Sequence, residues 1–126
     1  MSLPSSDTRN QVIETYTDHP TYNCSKCSAV IALQDETITK LFQGRDGRGF
    51  LMHSAVNLKL GNREDRSLMC ITGVHTVADV FCMGCNERVG WYYHKASDFS
   101  QKYKEGKYLL EREKLIKENA WALDAS

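Results

Sequence analysis

Cys24-Ser25-Lys26-Cys27 and Cys82-Met83-Gly84-Cys85 decide how this chain is read. Each is a C-x-x-C pair, and thiolates two residues apart on a tight turn can reach one cation together. Two such pairs supply the four ligands of a tetrahedral zinc site with no position left open for chemistry. The spacer from Ser28 to Phe81 means that a metal here would join two distant parts of the chain. The expectation is therefore one zinc per chain, held by Cys24, Cys27, Cys82 and Cys85, acting as a clamp on the fold.

Outward from the pairs, the chain of 126 residues suits one domain with a modest core, which gains from a metal staple. Apolar residues make up 41% and charged residues 25%, with 16 basic against 16 acidic side chains. Net neutrality speaks against a dedicated nucleic-acid binder, which usually shows a basic stripe. The start of the chain is polar, without the apolar core of a signal peptide, and no run approaches the ~20 residues that span a bilayer. The expected location is the nucleus or cytoplasm, away from membranes. Those compartments are reducing, so the paired cysteines read as metal ligands in preference to disulfides.

Residues 1–18 read as a flexible tail, residues 19–121 as the zinc-binding domain, and residues 122–126 as a second tail. Short strands are expected over Tyr22–Cys24, Ala29–Leu33 and Thr37–Phe42. Gly44-Arg45-Asp46-Gly47-Arg48-Gly49 reads as a hairpin turn; it lacks the order of a phosphate-binding P-loop. Phe50–Leu60 reads as one strand and Gly61–Asp65 as a turn. Ser67–Ile71 and Val74–Cys82 are extended and broken at Gly73. Arg88–His94 leaves the second pair as a strand with Val89, Trp91 and Tyr93 on one face. Asp98–Glu105 reads as a short helix or turn. Lys107–Arg112 reads as a strand with Tyr108 and Leu110 on one face, followed by a short helical or irregular end.

Taken in order, these residues resemble the Yippee-like family. The resemblance runs from about Tyr22 to Trp121. It rests on the two cysteine pairs with Phe42-Gln43-Gly44, Gly47-Arg48-Gly49-Phe50-Leu51, Val56-Asn57 and Glu64-Asp65-Arg66. It continues through Thr72-Gly73-Val74-His75-Thr76-Val77-Ala78-Asp79-Val80, Val89-Gly90-Trp91-Tyr92-Tyr93 and Gln101–Tyr108. About two extra residues fall between Arg66 and Ile71, which a longer hairpin or a β-bulge could absorb.

The resemblance implies a mainly β fold, the β-tent: two antiparallel sheets pinned by one four-cysteine zinc site, as in the Yippee, Mis18 and cereblon group. It implies a non-enzymatic protein-interaction adaptor. The implied partners are proteins, among them the subunits of a ubiquitin-ligase assembly carrying LisH and CTLH domains, which the chain would join or regulate. Two other functions stay open, the first of them on the same scaffold. A methionine-sulfoxide-reductase-like redox enzyme would need a reactive cysteine, and Cys70 is the one left over. Its neighbours Leu68, Met69 and Ile71 favour a small buried hydrophobe instead. A zinc-ribbon-like nucleic-acid binder would need a positive surface.

Phe42, His75, Trp91 and Tyr93 are the candidate partner-binding residues. In cereblon the tryptophan that corresponds to Trp91 helps line an aromatic cage. The ordinary fate of strand aromatics is the core, and both readings stand at this point. His75 reads as a hydrogen-bonded structural residue or as part of a binding face. A direct pair with Asp79, four residues along a strand, is not expected. Lys102, Lys104 and Lys107, interleaved with Tyr103, Glu105 and Tyr108, read as a solvated face.

Overall fold

The computed structural model describes residues 19–43, 48–67 and 73–118. Both tails, Cys70, Gly44–Gly47 and most of the expected insertion lie outside them. Among the described residues nine strands form two antiparallel sheets. They are β1 (Thr21–Cys24), β2 (Val30–Leu33), β3 (Thr37–Gln43), β4 (Arg48–Met52), β5 (Leu58–Ser67), β6 (Val74–Cys82), β7 (Arg88–Ala96), β8 (Tyr108–Glu111) and β9 (Leu115–Glu118). The small sheet has the order β9-β1-β2, and the large one β3-β4-β8-β7-β6-β5. The mainly β reading is thus the architecture found. No helix among the described residues is long and apolar enough to cross a membrane.

Strand alternation builds two cores. Phe50 and Leu51 are neighbours, as are Leu109 and Leu110, and each pair divides between opposite faces of the large sheet. Tyr22, Ile31, Phe50, Met52, Val80, Val89 and Leu110 fill the first core, into which both sheets contribute. Tyr22 stacks on Phe50 with ring centroids 4.9 Å apart. Leu51, Val77, Trp91, Tyr93 and Leu109 form the second core, with Phe42 packed against it.

Several local expectations are corrected. Phe50–Leu60 is two strands, because the chain breaks at His53–Asn57, where Asn57 takes φ +59°. Its amide donates to the Val30 carbonyl at 2.7 Å, which gives the break a fixed partner. Gly61–Asp65 is no turn. It lies inside β5, where a register shift between Leu60 and Arg63 sets two residues of β5 against one of β6 while the pairing continues on either side. Val89 does not share a core with Trp91 and Tyr93. Val80 faces Gly90 while Phe81 faces Arg88, so Val89 is the bulged residue and turns to the first core. After β8 the chain makes one 3₁₀ turn, Arg112–Lys114, and then pairs as β9 with β1. Of the expected turn over Gly44–Gly49, Arg48 and Gly49 already belong to β4, which pairs with β3 through Gln43 opposite Arg48.

An ion network ties four strands of the large sheet, β5 to β8. Asp79 accepts from Arg66 at 3.1 Å and from Arg88 at 2.9 Å, and Arg88 reaches the buried Glu111 at 3.2 Å. Burial alone would raise the Asp79 carboxyl, but the two guanidinium groups outweigh it and hold it below the usual carboxylate range. A depressed native pKa stabilises the fold above the unfolded value and is lost only as pH falls through the native one. Asp79→Asn should therefore cost about 2 kcal/mol, and the deficit should stay flat between about pH 6 and pH 8. Urea midpoints across that window check it; a deficit that grows with pH there would contradict the assignment.

Candidate metal centre

Each cysteine pair closes the same turn. Ser28 N–H donates to the Cys24 carbonyl and Cys24 N–H to the Ala29 carbonyl, both at 2.8 Å. Asn86 N–H donates to the Cys82 carbonyl at 2.7 Å and Cys82 N–H to the Glu87 carbonyl at 2.8 Å. Ser28 and Asn86, each just past its pair, take φ +68° and +67°. The similar layout legible in the sequence is therefore one backbone structure used twice, at the ends of β1 and β6.

The two turns bring their thiols together. All four Sγ atoms lie within 4.8 Å of one another. Cys24 Sγ is 3.6 Å from Cys85 Sγ, and Cys27 Sγ is 3.5 Å from Cys82 Sγ. Those separations are far beyond a sulfur–sulfur bond of about 2.0 Å. They approach the ~3.8 Å edge of a tetrahedron with metal–sulfur bonds of about 2.3 Å. Backbone N–H groups of Lys26 and Gly84 point at the Sγ atoms of Cys24 and Cys82, at 3.4 and 3.3 Å, as they would towards thiolates. Gly84 is needed for this approach: a Cβ there would lie 2.8 Å from Cys27 Sγ.

The electrostatics suit a cation among the sulfurs. Burial pushes the Cys82 thiol up to about 12, and the Cys85 thiol is also raised, with its neighbouring sulfurs and burial opposing a backbone donor. At Cys24 burial also raises the thiol, but N–H donors from Cys27 and Lys26 outweigh it and leave it lowered. Four sulfurs this close cannot all carry charge without a divalent ion among them, and the all-thiolate donor set fits zinc. Such an ion would hold the two sheets together through these four residues.

The surroundings brace the site. Glu87, from the second turn, binds Lys26 of the first at 3.4 Å and Lys114 at 3.0 Å. Ser25 N–H donates to the Lys114 carbonyl at 2.9 Å, and Met83 N–H to the Asn57 carbonyl at 2.8 Å. Sequence reasoning missed Glu87 and Lys114 as braces, because they are ordinary surface charges until the two turns meet.

The four candidate recognition residues also come together, on the second core and away from the thiols. His75 packs on Tyr93 at 5.7 Å between centroids, and Trp91 meets Tyr93 edge-on at 6.3 Å. Trp91 is 4% exposed, while His75 and Tyr93 are fully buried and Phe42 is half-buried. They form a packed cluster and not an open sheet face. Sequence reasoning missed Lys104. It is 2% exposed, and its ammonium lies 5.0 Å from the Phe42 ring, 5.7 Å from Tyr93 and 5.8 Å from Tyr103. The expected solvated face fails here because Phe99–Lys104 is a 3₁₀ turn, capped by Asp98, that lies against the sheet and delivers its last residue inward.

Comparison with known proteins agrees with this geometry. Residues 21–124 match the Yippee-Mis18 family, described as Yippee zinc-binding/DNA-binding/Mis18, centromere assembly. A yippee-like protein of Arabidopsis thaliana is 50% identical over 98 residues, covering 78% of this chain and 91% of the relative. Protein yippee-like 4 of Homo sapiens is 48% identical over 103 residues, covering 82% and 80%. Among solved structures, the crystal structure of the Mis18 "Yippee-like" domain superposes with a TM-score of 0.64. That match covers 82% of this chain and 98% of the other at 15% identity, so it bears on the fold alone.

Proposed function

This chain belongs to the Yippee-Mis18 family, and from that premise we propose that it is a non-enzymatic, zinc-clamped protein-interaction module. The observation that carries this reading is the closed four-sulfur cluster. All four tetrahedral positions come from the chain, so a zinc ion there would have no site for water or substrate. Its role would be to join the small sheet to the large one. Function then falls to the surfaces that the clamp holds rigid, and a pre-organised surface loses less entropy when a partner arrives.

The proposed partners are subunits of a ubiquitin-ligase assembly carrying LisH and CTLH domains, met in the nucleus or cytoplasm. The support for that choice is the family resemblance, and the recognition region would centre on Phe42, His75, Trp91 and Tyr93. Affinity purification of the tagged full chain from native cells tests it. Stoichiometric recovery of LisH- and CTLH-domain subunits is expected. Recovery of the chain alone, or of nucleic acid released steeply by salt, would contradict it.

A further inference from the structure

The Lys104 cluster is rich in donors and poor in acceptors. The Lys104 ammonium has no carboxylate within 4.0 Å among the described residues. Trp91 Nε1, Tyr93 Oη and both ring nitrogens of His75 are buried without a well-formed hydrogen bond, the indole N–H reaching only weakly towards the Tyr93 oxygen and the imidazole towards the Gly73 backbone. Burial, and then the charge of Lys104, hold His75 towards its neutral form, against weaker opposing influences from the Gly73 backbone and Asp98. The cluster therefore offers one positive charge, an indole N–H, a phenol O–H and one imidazole N–H. Its own acceptors are a phenol oxygen and one ring nitrogen.

Buried donors left unmade are costly, and a buried unpaired charge more so. Contact with three aromatic rings offsets part of the ammonium's cost. It supplies nothing to the phenol proton, and the indole proton has only its weak approach to the Tyr93 oxygen. The missing component is an acceptor with several lone pairs and a single negative charge. A carboxylate has that charge and four lone-pair sites, and its planar shape suits aromatic walls. A phosphate dianion would bring a second charge that nothing here balances.

We propose that the Lys104 cluster is a receptor for one carboxylate carried by the partner. Lys104 would meet its charge, and Trp91, Tyr93 and His75 would donate to its oxygens. The group would have to enter beside half-buried Phe42 and exposed Tyr103, the two more accessible rings around Lys104. This deepens the interaction reading by naming the chemistry of the recognised group. The group comes either from a chain terminus or from an Asp or Glu side chain.

The test uses the zinc-loaded full chain and three small probes, followed through the Trp91 indole N–H resonance. N-acetylglycine presents a terminal carboxylate, N-acetylaspartate N′-methylamide a side-chain carboxylate, and N-acetylglycinamide neither. At equal ionic strength a saturable shift is expected with at least one carboxylate and none with the amide. The carboxylate that saturates at lower concentration identifies the source. Lys104→Met, with zinc content and melting retained, should weaken saturation about tenfold or more. Where that variant does not fold, Tyr93→Phe deletes one donor at almost constant shape and should weaken it about fivefold. No saturable shift, an equal response to the amide, or an undiminished response in a folded variant overturns the proposal. Silence of all the probes alongside stoichiometric partner capture would reject the carboxylate receptor and leave the adaptor reading standing. A probe response without any partner would do the reverse.

Discussion

Cys82→Ser is expected to unfold most of the domain under conditions where the parent chain is native. The substitution removes a sulfur that is fully buried and within 3.5 Å of Cys27 Sγ. Four-thiolate zinc sites contribute about 10–16 kcal/mol of apparent binding energy in small domains, and that energy is folding energy. Total stabilities of about 5–15 kcal/mol leave no margin for such a loss. The small sheet is the part most exposed to it. Its strands β1 and β2 flank the first cysteine pair, and β9 joins them only through β1. The expected readout is loss of cooperative melting together with loss of bound zinc. A Cys82→Ser chain that keeps parental melting without metal would show that the clamp is dispensable.

Gly90→Ala is the second large effect, and it arises from backbone packing. Gly90 faces Leu110 across β7 and β8. A Cβ there would stand 1.9 Å from the Leu109 carbonyl oxygen and 3.0 Å from Leu110 Cα. Both obstacles are main chain, so no side-chain rotation relieves them. Either β8 moves off β7 or the bulge at Val89 is lost, and each outcome disturbs both cores at once. The expected cost is about 3–5 kcal/mol, in the range reserved for overpacking and backbone strain. Denaturant midpoints measure it. A change within about 0.5 kcal/mol would mean that the β7–β8 register is wrong.

The candidate metal ligands were legible because their chemistry is local: each C-x-x-C sits on its own turn, and the two turns rhyme in sequence. The strands next to them were legible for the same reason, through short apolar runs bounded by turn residues. Where the sequence misled, long-range pairing decided the outcome. From Phe50 to Leu60 apolar residues continue past Val56 and Leu58, so nothing in the pattern marks the break that Asn57 makes with Val30. Gly61-Asn62-Arg63-Glu64-Asp65 has the composition of a turn, yet β6 lies beside it and its backbone takes the ladder. Leu115–Glu118 is too short to declare itself, and its partner β1 lies at the other end of the domain.

The candidate recognition cluster divides in the same way. Phe42, His75, Trp91 and Tyr93 were singled out from scattered positions, and the sheet gathers them. Their burial was not readable, since alternation tells which residues share a face without telling what covers it. Lys104 is the clearest case. Lys102-Tyr103-Lys104-Glu105 looks solvated throughout, and only the 3₁₀ turn against β7 puts one of these lysines beneath three rings.

What the four sulfurs hold decides most directly whether the two sheets are clamped. Elemental analysis and X-ray absorption at the zinc edge, on protein purified without added metal or chelator, measure it in one sample. The result predicted is one zinc per chain in a shell of four sulfurs at about 2.3 Å, with no nitrogen or oxygen ligand. Absence of stoichiometric zinc, or a shell with an oxygen in the fourth position, would contradict the closed clamp and reopen the site to chemistry.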